Sequence, residues 1–249
     1  MAISWSNRRK FLYTSVTAFI GVIFLLFVYV QFFTNAPTCF DGKQNSDEQG
    51  IDCGGSCALF CRDQVRSPVP LWSRAFEVTP HVYTAAAYIN NPNPGAAARN
   101  VAYSFQLFDE KNLLVAERVG VINIPPVQTV PFIDPNIDIG NRTVARALFA
   151  FSEEPLWYKV GNLPVLRVGN QYLSADASQL SATISNESIN NADKVTVAAV
   201  LFDSNGVARA ASRSILAQIP RKGSQDVVFT WPGGIKDIVR AEITVLPSF

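Results

Sequence analysis

Hydrophobic residues are laid out along this chain in two different ways. Residues 11–33, FLYTSVTAFIGVIFLLFVYVQFF, form an apolar run without a charged side chain. At ~1.5 Å of rise per helical residue this run reaches roughly 34 Å, enough for the ~30 Å hydrocarbon core of a bilayer. A helix satisfies its own backbone hydrogen bonds, so it is the form such a run takes in lipid. Further along, the pattern becomes an alternation. Val101, Tyr103, Phe105 and Leu107 alternate with Ala102, Ser104 and Gln106, and Val195, Val197, Ala199 and Leu201 occupy the same places in a second passage. A period of two puts each set on one buried face of a β-strand.

The two alternating passages belong to an internal repeat. Ala87-Tyr88-Ile89-Asn90-Asn91 aligns with Ala182-Thr183-Ile184-Ser185-Asn186, Leu107-Phe108-Asp109 with Leu201-Phe202-Asp203, Ile124-Pro125 with Ile219-Pro220, and Arg146-Ala147 with Arg240-Ala241, always at an offset of 94 or 95. Four blocks in constant order and spacing indicate two copies of one domain. In each copy a turn follows the aspartate, at Asp109-Glu110-Lys111-Asn112 and Asp203-Ser204-Asn205-Gly206. The last strand of each copy is predicted over 144–151 and 238–245, with Ala145, Ala147, Phe149 and Phe151, then Val239, Ala241, Ile243 and Val245, facing inward and Arg146 and Arg240 outward. The fold class is therefore all-β: two tandem immunoglobulin-like β-sandwiches, 72–155 and 156–249, each expected to fold alone. The Cys…Trp…Cys signature of antibody domains is missing from them.

Between the apolar run and the first repeat lies a segment of different chemistry. All four cysteines fall there, Cys39, Cys53, Cys57 and Cys61, with gaps of thirteen, three and three residues. The segment 38–62 is rich in turn formers and too poor in apolar residues to build a core, so cross-links or a metal must hold it. Two disulfides, in any of three pairings, are the expectation. A zinc site competes with them, although two Cx3C steps are wider than the usual paired-cysteine knuckle and thiols outside a cell oxidise. Asp41, Asn45, Asp47, Glu48 and Asp52 crowd oxygen atoms into twelve residues and are the candidate ligands for calcium. They fit an EF-hand loop loosely, with Lys43 at the third ligand position and Ser46 where the turn glycine belongs. Calcium is the one cofactor these residues suggest. Residues 63–71, ending Ser67-Pro68-Val69-Pro70, read as a stiff linker.

Charge decides the topology. Arg8, Arg9 and Lys10 sit directly before the apolar run, and the next basic residue is Lys43. The positive-inside rule places the stub 1–10 in the cytoplasm, the helix 11–33 in the membrane as a single pass, and the rest on the extracytoplasmic side. A cleaved signal peptide is the alternative, but the run is long, and the best small-x-small site, Thr34-Asn35-Ala36, precedes Pro37. Net charge is +1 with no basic stretch beyond the membrane boundary, which leaves nucleic acid without an electrostatic footprint.

Cys39-x-Asp41-Gly42-x-x-Asn45-x-x-Glu48-x-Gly50-x-Asp52-Cys53-Gly54-Gly55-x-Cys57-x3-Cys61 resembles a Cys-rich module of uncharacterised secreted and membrane-anchored bacterial proteins. That family usually closes on a CxxC step, where this chain has Cx3C, and it brings no established function. The asparagine-ended strand at Asn90-Asn91-Pro92, the Leu107-Phe108-Asp109 turn entry and the Ile124-Pro125 stop, with their second-copy counterparts, are similar to the FxLyD and LEA-type β-sandwich modules of extracytoplasmic bacterial proteins.

Reactive constellations are hard to find. His81 is the one histidine, and no GxSxG surrounds a serine. Gly233-Gly234 reads as a hairpin turn and Glu153-Glu154 as a solvated pair in the passage between repeats, with Trp157 and Tyr158 beside it as an interdomain contact or a binding spot. Asn141-Arg142-Thr143 and Asn186-Glu187-Ser188 match the glycosylation acceptor pattern. The expectation is a non-enzymatic, membrane-anchored structural or interaction protein of the cell envelope. It touches lipid through 11–33 and an unidentified protein or surface partner through its β domains, with no small-molecule substrate. The alternative is an accessory or sensing subunit of a larger envelope assembly complex; the helix, with Ala18 and Gly21 but no GxxxG, does little to favour it.

Overall fold

The computed structural model describes residues 5–33, 38–127 and 129–249, with no side-chain description for 5–7 and 31–33. The Thr34-Asn35-Ala36 cleavage candidate lies outside the described residues. The chain divides into two compact units, 1–57 and 58–249. In the first, helix α1 spans Trp5–Phe33. Its Arg8–Val30 portion has a mean hydropathy of 2.3 and is long and apolar enough to cross a membrane. Its apolar side chains are exposed, Phe11 at 76% and Leu25 at 66%. Its two threonine hydroxyls bond to the helix's own carbonyls: Thr14 Oγ1 donates to Lys10 O at 2.9 Å and Thr17 Oγ1 to Tyr13 O at 2.8 Å. An apolar helix whose backbone and threonine hydroxyls are satisfied internally suits hydrocarbon as solvent.

The second unit is all-β. Its first repeat comprises β1 (Val69–Thr79), β2 (Val82–Asn90), β3 (Ala96–Phe108), β4 (Leu114–Ile124), β5 (Thr129–Asp138) and β6 (Arg146–Phe151). A short β7 (Trp157–Lys159) pairs with β3, and β8 (Leu166–Leu173), β9 (Gln179–Asn186), β10 (Ala192–Asp203), β11 (Ala208–Ile219), β12 (Ser224–Thr230) and β13 (Ile238–Leu246) form the second. The first repeat makes sheets β1-β2-β5 and β4-β3-β6, and the second makes β8-β9-β12 and β11-β10-β13. Strand for strand the order recurs. Each pair of sheets encloses its own core: Ile89, Val101, Phe105, Leu107 and Ile124 in one, Leu180, Ile184, Val197, Leu201 and Ile219 in the other.

The four repeated sequence blocks each have a mechanical role. Leu107 and Leu201 are fully buried. Phe108 and Phe202, on the opposite face, lie under the guanidinium groups of their cross-strand neighbours, Arg146 at 4.8 Å and Arg240 at 4.2 Å. Asp109 Oδ1 accepts from the amides of Lys111 and Leu113, and Asp203 Oδ1 from those of Asn205 and Val207, which closes each hairpin turn. Asn91 and Asn186, buried at 4% and 1% exposure, act as clamps. Asn91 Nδ2 donates to Ala96 O and Pro125 O, both at 3.0 Å, while its Oδ1 accepts from Asn93 N at 2.9 Å. Asn186 Nδ2 donates to Asn190 O at 2.8 Å and Ile219 O at 3.2 Å, and its Oδ1 accepts from Ser188 N at 2.9 Å. One amide thus ties the end of the second strand of each repeat to the start of the third and the end of the fourth.

Some details depart from the alternation pattern. Val239 is exposed at 66%, and Ile238 takes the inward place, because a register shift at Phe202/Asp203 inserts a residue where β13 begins. A bulge of this kind flips every side chain before it to the other face. Ala145 is also exposed; it precedes β6, although its amide still donates to Phe108 O at 2.8 Å. Residues 62–71 are not a free spacer: Arg66 N donates to Asn93 Oδ1 and Asn93 Nδ2 to Arg66 O, each at 2.7 Å, and β1 starts at Val69.

The two repeats are joined by a third buried cluster. Ala86, Tyr88 and Ile133 of sheet β1-β2-β5 pack on Ala198, Val200, Phe202, Ala208 and Ala211 of sheet β11-β10-β13, with Trp72 and Phe76 at the margin. The sheets therefore lie in four layers: β4-β3-β6, β1-β2-β5, β11-β10-β13 and β12-β9-β8.

The clamps give a measurable expectation. Asn186→Ala strips the buried Ile219 carbonyl and the Asn190 carbonyl of a donor and should cost about 1–3 kcal/mol, and Leu201→Ala should cost about 2–5 kcal/mol. Urea denaturation of the two variants beside the parent checks both; a clamp variant as stable as the parent would contradict the assignment.

Candidate functional site

The Cys-rich segment is held by oxidation and by its own carboxylates. Cys39 and Cys57 form a disulfide with Cα atoms 5.6 Å apart. Cys53 and Cys61 are disulfide-bonded as well, and no cysteine is free. The Asp52 carboxylate accepts from the backbone amides of Asp41 at 3.0 Å and Gly42 at 3.1 and 3.0 Å. Asp41 accepts from Asn45 Nδ2 at 2.8 Å and Lys43 N at 3.0 Å, and the Asn45 amide chiefly holds its pKa below the ordinary carboxylate value. Asp47 accepts from Ser56 Oγ at 2.7 Å. Gly55 is obligatory beside it: at φ +52° an added Cβ would stand 2.0 Å from Asp47 O, which accounts for the second glycine of the DCGG motif.

Glu48 is buried, accepts from Asn45 N at 3.3 Å, and lies 3.2 Å from Cys57 Sγ. An oxidised sulfur carries no proton, so this is a packing contact and not a hydrogen bond. Cys39, Glu48 and Cys57 are the one trio of His, Cys, Asp or Glu ligand atoms within 4.8 Å of one another among the described residues. Both sulfurs are consumed by the disulfide, so they are not the thiolates zinc requires. Nor do any three of Asp41, Asp47, Glu48 and Asp52 converge. Asp41, Glu48 and Asp52 accept from backbone amides of the loop, Asp47 accepts from the Ser56 hydroxyl, and Asn45 donates to Asp41. Asn45 Oδ1 is buried without a hydrogen-bond partner.

The other candidates take structural places. His81 adopts φ 67° in the β1–β2 turn, its amide donating to Glu77 Oε1 at 3.1 Å and its carbonyl accepting from Ile139 N at 3.1 Å. Trp157 is buried in the first repeat's core, and Tyr158 bridges to Leu59. The expected Trp157–Tyr158 interdomain contact is thus replaced by packing within the first repeat. Glu154 accepts from Ser67 Oγ at 3.5 Å. Asn186 is a buried clamp, so its acceptor triplet is inaccessible, whereas Asn141 is exposed. Gly234, in the expected turn, approaches Asp176 O so closely that a Cβ would stand 2.5 Å away.

Aromatic and charged side chains gather along the seam between the repeats. Trp72 stacks on Tyr88 at 4.7 Å, and Tyr88 meets Phe202 edge-on at 6.3 Å. Arg240, over Phe202, pairs with Glu242 at 3.2 Å. The Tyr88 hydroxyl is buried without hydrogen-bond geometry to any group; burial first, then the nearby Glu242 carboxylate, raises its pKa well above the tyrosine range. Tyr103 Oη donates to Asp134 Oδ2 at 3.1 Å, and burial followed by that carboxylate pushes it up to about 12.

Two grooves open on this seam. One of about 290 Å³ is lined by Pro125, Phe132, Lys194, Arg213 and Leu246. The other, about 640 Å³, is lined by Trp72, Arg74, Phe76, Arg146 and Arg209. Arg209 is fixed by the buried Asp203, its Nε at 2.8 Å and its Nη2 at 2.7 Å from Asp203 Oδ2. The repeat blocks already contained Phe202, Arg240 and Tyr88, but not their meeting. The readable signal was a difference between copies: the outward positions Ser104 and Gln106 correspond to the apolar Ala198 and Val200.

Neither a protein-family model nor a curated protein sequence matches the chain. Among solved structures, the β-glucuronidase of Parabacteroides merdae aligns over 86% of this chain and 33% of its own at 10% identity and a TM-score of 0.14. The chain spans about a third of that enzyme's length, and a likeness of this size carries no argument.

Asp203 makes the second hairpin pH-sensitive. The Val207 amide above all, with Arg209 and the Asn205 amide, lowers its pKa. A carboxyl held below its unfolded value of ~3.9 contributes stability above that pH and loses it as pH falls through the lower folded value. Thermal unfolding between pH 5 and 2 should therefore show a smaller acid-induced drop in Tm for Asp203→Asn than for the parent. Parallel curves would contradict this.

Proposed function

We propose that this is a membrane-anchored, non-enzymatic interaction protein whose residues after α1 lie on the extracytoplasmic side. The observation that carries the reading is the pairing of one apolar helix with a fully oxidised four-cysteine segment directly after it. Disulfides persist in oxidising compartments, which supports an extracytoplasmic segment. The cluster Arg8-Arg9-Lys10 before the helix supports a cytoplasmic N-terminus. In this reading 38–62 is a cross-linked module, and the β unit comprises two immunoglobulin-like sandwiches, the first from β1 through β7 and the second from β8 through β13. Their six-strand recurrence is in keeping with the FxLyD and LEA-type resemblance. The residues that could have done chemistry serve turns, clamps and cores, which fits binding better than catalysis.

A second reading, an accessory or sensing subunit of an envelope complex, draws support from the outer face of sheet β4-β3-β6. Val119, Val121 and Leu148 are exposed there at 73%, 63% and 48%. Apolar residues gathered on one sheet face suit a protein partner.

Single-cysteine labelling tests the topology, since no native thiol is free to compete. With a membrane-impermeant maleimide on intact spheroplasts, Ser204→Cys should label and Ser6→Cys should label only after lysis. The reverse pattern would overturn the proposal.

A further inference from the structure

We infer that the larger seam groove is a binding site for a multiply charged oxyanion, one carrying two or more phosphate or carboxylate groups. The groove, at about 640 Å³, falls in the ~300–1,000 Å³ range of ligand sites, and three arginines and no carboxylate-bearing residue line it. Both repeats contribute: Arg74 from β1, Arg146 from β6 and Arg209 from β11. Each guanidinium keeps donors for a ligand. The Arg146 guanidinium carbon lies over the Phe108 ring, 4.8 Å from its centre, and no ion pair commits its N–H groups among the described residues. Arg209 spends Nε and Nη2 on Asp203, which fixes the side chain and leaves Nη1. Arg74 is exposed and has no charged partner among the described residues.

Two of the three cations are thus held in place before any ligand arrives, so little ordering is needed on binding. Asp203 offsets the charge of Arg209, but Arg74 and Arg146 have no carboxylate partner among the described residues, and a bound polyanion supplies one while accepting forked hydrogen bonds. Trp72 forms part of the wall and supplies a fluorescent reporter. The site rests on the interaction reading and gives it a ligand class. It concerns a bound ligand rather than a converted substrate, and it holds for either orientation in the membrane.

The test uses the full chain in a neutral detergent, with inorganic pyrophosphate as the free anion and long-chain polyphosphate as the polymer, each followed by tryptophan fluorescence and calorimetry. Saturable binding of pyrophosphate would identify a site for a free small anion; binding of polyphosphate alone would identify a site for a segment of an anionic polymer. In either case Arg74→Gln should weaken binding by roughly tenfold or more. Arg221→Gln, which removes the same charge from a turn outside the groove, should change it by less than about twofold. Circular dichroism confirms that both variants are folded. No saturable binding of either probe, or equal losses in the two variants, would overturn the inference and leave the labelling test of topology untouched.

Discussion

Val200 and Phe202 lie on one face of β10, and Val197, Ala199 and Leu201 lie on the other. The strand is therefore buried on both sides, and that double burial is the constraint the β unit depends on. A strand at the surface of a lone sheet pair alternates between apolar and polar, as β3 does with Ser104 and Gln106. Here the outward positions are closed by Tyr88, Ala86 and Ile133 of the other repeat. Separating the repeats would put Tyr88, Phe202 and their neighbours back into water. Each such side chain is worth on the order of 1.5–3 kcal/mol when buried.

The seam joins unlike faces, the β1-β2-β5 side of one repeat and the β11-β10-β13 side of the next. A contact of that kind has no intrinsic end, because each added unit would present the same free face. The outer layers carry the answer in their side chains. On β9, Ser181 and Thr183 stand where β2 has Ala86 and Tyr88, and Thr183 Oγ1 donates to Asp226 Oδ1 at 2.7 Å. On β3, Ser104 and Gln106 stand where β10 has Ala198 and Val200, and Gln106 Nε2 donates to Glu117 Oε1 at 2.9 Å. Polar residues at these central positions keep either outer sheet from repeating the seam contact. The same fold is thus written twice with different outer faces, and the seam groove, with arginines from both repeats, exists because they meet in one order only.

Much of this was legible in the sequence, and what was not has physical causes. Period-two alternation marked the inward faces of β3 and β10, since burial on one side is a local property of a strand. The repeat blocks were visible because each acts over a short range, as a core leucine, an aromatic ring under an arginine, a turn-closing aspartate or a clamping asparagine. Val239 was misplaced because a bulge is a backbone event that composition does not announce. Trp157 was misplaced because a three-residue strand leaves no periodicity to read. The hydrogen bonds of the carboxylates in 41–52 were not legible either: they run from the Asp41 amide to Asp52 and from Ser56 to Asp47. Sequence spacing does not show which oxygens a closed loop turns toward its own amides. The seam stayed hidden because it depends on which of two similar faces meets which, a tertiary choice.

The burial of Tyr88, Val200 and Phe202 in the seam predicts that the two repeats unfold as one cooperative body, and equilibrium unfolding of the full chain in urea tests this most directly. Tryptophan fluorescence separates the reporters, with Trp72 and Trp157 in the first repeat and Trp231 in the second. The parent should unfold in a single transition at which variants keeping only Trp157 or only Trp231 coincide, and Val200→Glu, which places a charge in the seam, should split it into two. Separate midpoints in the parent, or a Val200→Glu variant whose unfolding curve overlays that of the parent, would contradict a single cooperative body.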